Sequence, residues 1–278
     1  MIITVINHSG TIADETLHDV IRAINRQIHE DFEPYWSLGA TLRLEGRSRK
    51  DPDKLSLPDM RGDAVLYLWD KADVPGALGY HDENARGIPF GFVFTELSQQ
   101  VGENWTVTLS HEAIELIADP LVNLLVAGPH PTEDRTVFHW YEMSDAVQAE
   151  SYKCDGVDVS NFLLPLYFTP DAEAGSRNDY LGREHQGKLL TSFGVNPGGY
   201  IGFFDPQLGK HVTFANAGDD KAKKRLKIKS QAMAGRRAYR LHTQADEPAL
   251  QILNLPRIRA AATATKSKSG RDYEQIDE

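Results

Sequence analysis

The sequence predicts an α/β fold of the α+β kind, with helices packed on a twisted mixed sheet. Three observations predict it. Short β-branched or aromatic runs are bounded by turn residues, two longer runs place apolar residues at helical spacing, and the two kinds are interleaved over the first 120 residues. The predicted order is strand, helix, strand, strand, strand, helix.

Each element has its own reason. "IITVIN" (residues 2–7) is short, β-branched and followed by Ser and Gly, so it reads as a buried strand. "DETLHDVIRAINRQIHEDF" spaces Leu17, Val20, Ile21, Ile24, Ile28 and Phe32 along one helical stripe and opens with acidic residues. "ATLRLEG" and "DAVLYLWD" predict two more strands, separated by the polar, Pro-containing loop "RSRKDPDKLSLPDMRG". The Gly-rich "GALGYHDENARGIP" reads as a loop, and "FGFVFTEL" as an aromatic strand ahead of a helix at about 105–119. Beyond Pro120 the pattern weakens. "VFHWYEMSDAV" fits a strand or a short helix, "SYKCDGVDVSNF" a turn about Asp155-Gly156, and "NPGGYIGFF" a turn feeding an aromatic strand.

Composition narrows the class. With 278 residues, 41% of them hydrophobic, the chain can bury a substantial core. No apolar run reaches the roughly 20 residues that span a bilayer, and the N-terminus lacks signal-peptide features, so a cytoplasmic protein without membrane contact is expected. The single Cys154 excludes an internal disulfide and a cysteine-rich zinc site. Charge is divided. From Lys221 onward 14 Lys and Arg stand against 6 Asp and Glu, whereas residues 1–220 carry 16 against 34. An acidic body suits cations better than nucleic acid; the basic segment 221–240 suits phosphates, an acidic partner or a virion interior, or is simply solvated. The expected division is a metal-binding domain over 1–215 and a basic extension over 216–278, its last ~20 residues disordered.

The chemistry concentrates in "TVTLSHEAIELIADPLVN" (residues 106–123). With His111 set at 0° on a helical wheel, Glu115 falls near ~40°, Asp119 near ~80° and Glu112 near ~100°, while Leu109, Ile114, Leu116 and Ile117 occupy the other side. His111 and Glu115, one turn apart, can grip one ion, and Glu112 beside it can take a proton from an attacking water. A solvated acidic helix face would show the same arc.

The strand-then-helix order, with "LSHEAIELIADP", "YEMSDAV", "DGVDVSNFLLP" and "NPGGY", resembles the zincin metallopeptidases, and more specifically uncharacterised bacterial and phage proteins with a zincin-like core. The resemblance spans roughly residues 1–215. It implies a strand bordering a substrate cleft, a helix carrying the metal ligands His111 and Glu115, Glu112 as general base, and cleavage of a peptide bond in a peptide or protein substrate. Glu115 stands where the zincin helix has a second His. One imidazole and several carboxylates neutralise a divalent ion, weaken its activation of water, and widen the choice from zinc to Mn²⁺, Fe²⁺ or even Ca²⁺.

The third ligand is open. Glu142 ranks first, Asp145 second and Asp119 third, the pair Glu142 and Asp145 loosely resembling a zincin Glu ligand and a following Asp. His81 could face substrate, Tyr141 or His139 could donate to an oxyanion, and His8 reads as a packing residue. No Walker, Rossmann or Gly-x-Ser-x-Gly pattern occurs. The leading expectation is a zincin-type hydrolase. The alternative is a catalytically inactive binding or structural protein that holds a partner with its basic tail.

Overall fold

Runs that are apolar on both faces take the interior of a sheet, and those that alternate take its edges. In β1 (Ile2–Asn7), β3 (Ala64–Trp69) and β5 (Pro89–Phe94) nearly every residue is buried. These three form the middle of a five-stranded sheet, flanked by β2 (Thr41–Glu45) and β4 (Gly79–Glu83) in the order β2-β1-β3-β5-β4. Pairing is parallel from β2 through β5, and β4 runs antiparallel to β5. The structure is a computed structural model and describes residues 1–45, 62–71, 78–83, 87–170, 175–218 and 223. The segment 46–61, most of the basic stretch 221–240 and the C-terminal residues expected to be disordered lie outside the described residues.

Pleat alternation divides the sheet's side chains between two layers. Ile3, Val5, Leu42, Leu66, Leu68 and Val93 face one core, shared with Leu17, Val20, Ile21 and Ile24 of α1 (Asp14–Arg26) and Leu109, Ala113, Ile114, Leu116 and Ile117 of α4 (Trp105–Ala118). Val65, Tyr67, Tyr80, Phe90, Phe92 and Phe94 form an aromatic layer on the opposite face. The helical stripe of residues 14–32 continues past α1 as a π-helical turn, Gln27–Phe32, and then α2 (Glu33–Trp36).

A second, antiparallel sheet has the order β11-β10-β7-β6, built from β6 (Leu125–Pro129), β7 (Thr136–Trp140), β10 (Tyr200–Asp205) and β11 (Lys210–Ala215). The hairpin of β8 (Ser151–Cys154) and β9 (Val157–Ser160) turns at Asp155 and Gly156, both with positive φ. The fold is therefore mixed α/β, with several sheets and few helices.

Two expectations are corrected. The segment read as a Gly-rich loop contains β4, so among the described residues four strands rather than three lie between α2 and the next helix. The "TEL" read as the end of the aromatic strand opens a short helix instead, α3 (Thr95–Gln100). "VFHWYEMSDAV" is a strand followed by a loop and one 3-10 turn, Asp145–Val147. Among the described residues no helix is long and apolar enough to cross a membrane.

Candidate metal centre

α4 starts where Asn104 caps it, its side chain accepting the Thr106 N–H at 3.2 Å. Two hydroxyls then fasten it to the hairpin. Thr106 Oγ1 donates to the Asp158 carbonyl at 2.7 Å, and Ser110 Oγ accepts the Ser160 N–H at 2.8 Å while donating to Gln27 Oε1 at 2.9 Å. At the far end Asp119 accepts the N–H groups of Asn123 and Leu124, at 3.1 and 3.0 Å. Asp119, a candidate ligand in the sequence, is thus occupied in turning the chain out of the helix.

Every residue from Thr106 to Ala118 is buried. The acidic arc of α4 is therefore no solvated face: β4 and the loop after β7 close over it. Tyr80 belongs to the aromatic layer, so alternation turns its neighbours Gly79 and His81 toward α4. A Cβ at Gly79 would come within 2.6 Å of Glu112 Oε1 and 2.8 Å of Thr108 Cγ2, which is why a glycine stands there. His81, one step along the same face, places Nδ1 3.3 Å from Glu112 Oε2 and 3.7 Å from Glu115 Oε2.

The loop after β7 supplies the other carboxylates. Met143 is fully buried in the main core, its carbonyl accepts the Leu163 N–H at 2.7 Å, and the Ser144 N–H donates to Glu115 Oε1 at 3.1 Å. Glu142 and Asp145 flank this anchored pair and both reach the cluster. Glu142 Oε2 lies 3.7 Å from His81 Nε2, and Asp145 Oδ1 lies 3.3 Å from His111 Nε2. The "NPGG" turn braces the segment from behind. Asn196 N–H donates to the Ala146 carbonyl at 3.0 Å, and a Cβ at Gly199 would approach that oxygen to 2.2 Å.

Two groups of donor atoms result, His111–Glu115–Asp145 and His81–Glu115–Glu142, each with its members within 4.8 Å of one another. In the first, His111 Nε2 stands 3.1 Å from Glu115 Oε2 and 3.3 Å from Asp145 Oδ1. Bonds of about 2.0–2.1 Å at tetrahedral angles set ligand atoms roughly 3.3 Å apart, so this spacing fits a divalent ion. A further sign is Glu115 Oε2, which is buried and has no hydrogen-bond partner among the described residues, although two imidazoles stand near it. A buried carboxylate oxygen left so carries a desolvation cost that a cation removes.

The imidazoles register the same field. Burial pushes the His111 pKa down, but the Glu115, Asp145 and Glu112 carboxylates around the ring outweigh it and push it up to about 10. For His81, burial again acts downward, and Glu142, Glu112 and Glu115 together raise the pKa above its ordinary value. The surrounding carboxylates thus favour a positive charge on both rings.

The other candidates fall elsewhere. Tyr141 packs on Phe168 and Trp36, ring centroids 4.6 and 5.8 Å away, and burial and the Asp119 charge raise its pKa. His139 is buried against Phe193 with Nε2 2.9 Å from the Pro129 carbonyl, and burial lowers its pKa, a packing arrangement rather than an oxyanion donor's. His8 packs against Trp69 and Tyr67. Cys154 is buried with Sγ donating to the Ala23 carbonyl at 3.3 Å. The braces Gly79 and Gly199 are not among the site residues the sequence predicts. Only the glycines themselves, one inside an alternating run and one in a turn, could have signalled them.

Comparison of the chain with protein-family models, with curated proteins and with solved structures finds no match.

Proposed function

We propose that the protein is a metal-dependent hydrolase of the zincin type, acting on a peptide bond. The observation that carries this reading is the buried trio His111 Nε2, Glu115 Oε2 and Asp145 Oδ1, spaced at 3.1 and 3.3 Å, with Glu112 on the same helix face. Asp145, ranked second in the sequence, is the better third ligand of this trio because it and not Glu142 meets His111.

A divalent ion held there supplies Lewis acidity, lowering the pKa of a water and polarising a carbonyl. Glu112 is the proton acceptor. Its Oε2 is held by His81 at 3.3 Å, which fixes the carboxylate beside the ligands. Carboxylate-rich donation favours Mn²⁺ or Fe²⁺ alongside zinc and tempers the acidification of water. The resemblance gives the cleft-bordering role to the strand "FGFVFTEL"; β5 lies inside the sheet, and the edge strand next to α4 is the antiparallel β4.

One observation favours a second reading, in which the ion is structural. His111, Glu112, Glu115 and Asp145 are each at most 6% exposed, and structural metal sites are closed whereas catalytic ones keep an open position. On that reading the domain is a binding or structural module, and the basic segment 221–240 holds an anionic partner. Glu112→Gln separates the two. Under the hydrolase reading it keeps its metal and loses peptide hydrolysis. If wild type and variant bind metal alike and neither cleaves any member of a peptide library, the ion is structural.

A further inference from the structure

We propose that the cluster takes two divalent cations and that Glu115 is the carboxylate they share. This rests on the metal reading of α4 and extends it to a second site, built by His81, Glu142 and Glu115.

The two donor groups have one member in common. His111 and Asp145 approach Glu115 from α4 itself and from the 3-10 turn, while His81 and Glu142 approach from β4 and from the start of the loop. Met143, buried between Glu142 and Asp145 in the chain, keeps those two carboxylates apart and directs each to a different imidazole. A single ion would need all of these donors to converge on one point. Instead Glu115 is the one member the two groups share, its Oε2 3.1 Å from His111 Nε2 in the first and a carboxylate oxygen within 4.8 Å of the His81 and Glu142 donor atoms in the second.

The His81 ring identifies the second position independently. Its Nδ1 lies 3.3 Å from Glu112 Oε2, an arrangement that places the ring proton on Nδ1 and the lone pair on Nε2. Metal-binding histidines characteristically donate their other N–H to a carboxylate in this way. His81 Nε2 is fully buried, has no hydrogen-bond partner among the described residues, and stands 3.7 Å from Glu142 Oε2. A lone pair and a carboxylate oxygen facing each other across that gap, inside the protein, call for a cation between them.

The donor count points to which cations. The two donor groups together hold two imidazoles and three carboxylates, with Glu112 hydrogen-bonded to His81 beside them, a composition close to that of di-iron and di-manganese carboxylate centres, a match of chemistry and not of fold. Two ions sharing one carboxylate would stand on the order of 3.5–4 Å apart, close enough to clamp the attacking and leaving oxygens of one substrate.

The test uses the full chain, stripped with chelator and titrated with Mn²⁺, reading bound metal by equilibrium dialysis and the ions' coupling by electron paramagnetic resonance. The expected result is two Mn²⁺ per chain, with the hyperfine pattern of isolated ions replaced by that of an exchange-coupled pair. His81→Gln should bind one Mn²⁺ and show the isolated pattern. One uncoupled Mn²⁺ per wild-type chain overturns the second ion and leaves the first. No bound Mn²⁺, together with no other divalent metal in the protein as purified, overturns both. The wild-type measurement decides the matter even if His81→Gln fails to fold.

Discussion

Glu115 Oε2 is the atom on which the centre depends. Residues that only hydrogen-bond to metal ligands cost about 10- to 100-fold in affinity when removed, so Glu115→Gln, which removes a ligand charge, should cost more than 100-fold. Glu112→Gln, by contrast, should cost no more than about 10- to 100-fold, because Glu112 touches His81 rather than the ion; isothermal titration with Mn²⁺ measures both. The proton that replaces the metal gives a pH signature. His111 has a folded pKa raised to about 10, so in metal-free protein its contribution to stability is complete below its unfolded value of about 6.5 and is lost as pH rises through 10. Metal must displace that proton, so affinity should rise over the same window. Thermal melts with and without chelator should therefore show opposite trends between pH 7 and 10: metal-free protein loses stability, and metal-loaded protein gains relative to it.

At the scale of elements, a strand, a helix and a loop converge because small residues let them approach. Gly199→Ala would press a methyl against the Ala146 carbonyl, 2.2 Å away, and shift the turn that carries Asp145. Overpacking of this kind costs about 1–3 kcal/mol, and here it should also lower metal occupancy, measured by denaturant unfolding and metal analysis of the same sample. Asp205→Asn is the matching control. Asp205 accepts both Arg135 guanidinium nitrogens, at 2.8 and 2.7 Å, tying β10 to β7 away from the cluster. The Arg135 hydrogen bonds hold the Asp205 pKa at about 2, so its contribution is present above the unfolded value of about 3.9 and is lost as pH falls through 2. The variant should lower Tm at pH 7 without changing metal stoichiometry. Legibility also varied by element. The pairing of His111 with Glu115 follows from the four-residue helical period, and the hairpin about Asp155-Gly156 from its turn residues. β4 was hidden because the site itself takes a glycine at 79 and a histidine at 81, and the acidic residues 82 and 83 follow, the types that erase a strand's sequence signal.

Over the whole molecule the sequence conveys an acidic body with a basic end, and the structure shows where part of that acidity is spent: four carboxylates and two imidazoles drawn inside between β4, α4 and the loop after β7. A helical wheel cannot distinguish a face covered by water from one covered by distant chain. The acidic arc of α4 could be drawn from residues 111–119, but its burial depends on segments some 30 residues away on either side. Whether His81 and Asp145 reach that arc is a matter of pleat direction and loop anchoring, which no local pattern encodes. The opposite charge of residues 221–240 predicts that the full chain binds an anionic resin at low salt and that deleting 221–278 removes this retention while leaving metal content unchanged. The central claim, that the buried cluster exists to hold a cation, is met most directly by anomalous diffraction from crystals of protein purified without chelator. An anomalous peak within about 2.0–2.2 Å of His111 Nε2, Glu115 Oε2 and Asp145 Oδ1 is the predicted result. No peak at that position, with the His111 ring bonded directly to Glu115 and Asp145 and no metal in the dissolved crystals, would contradict it.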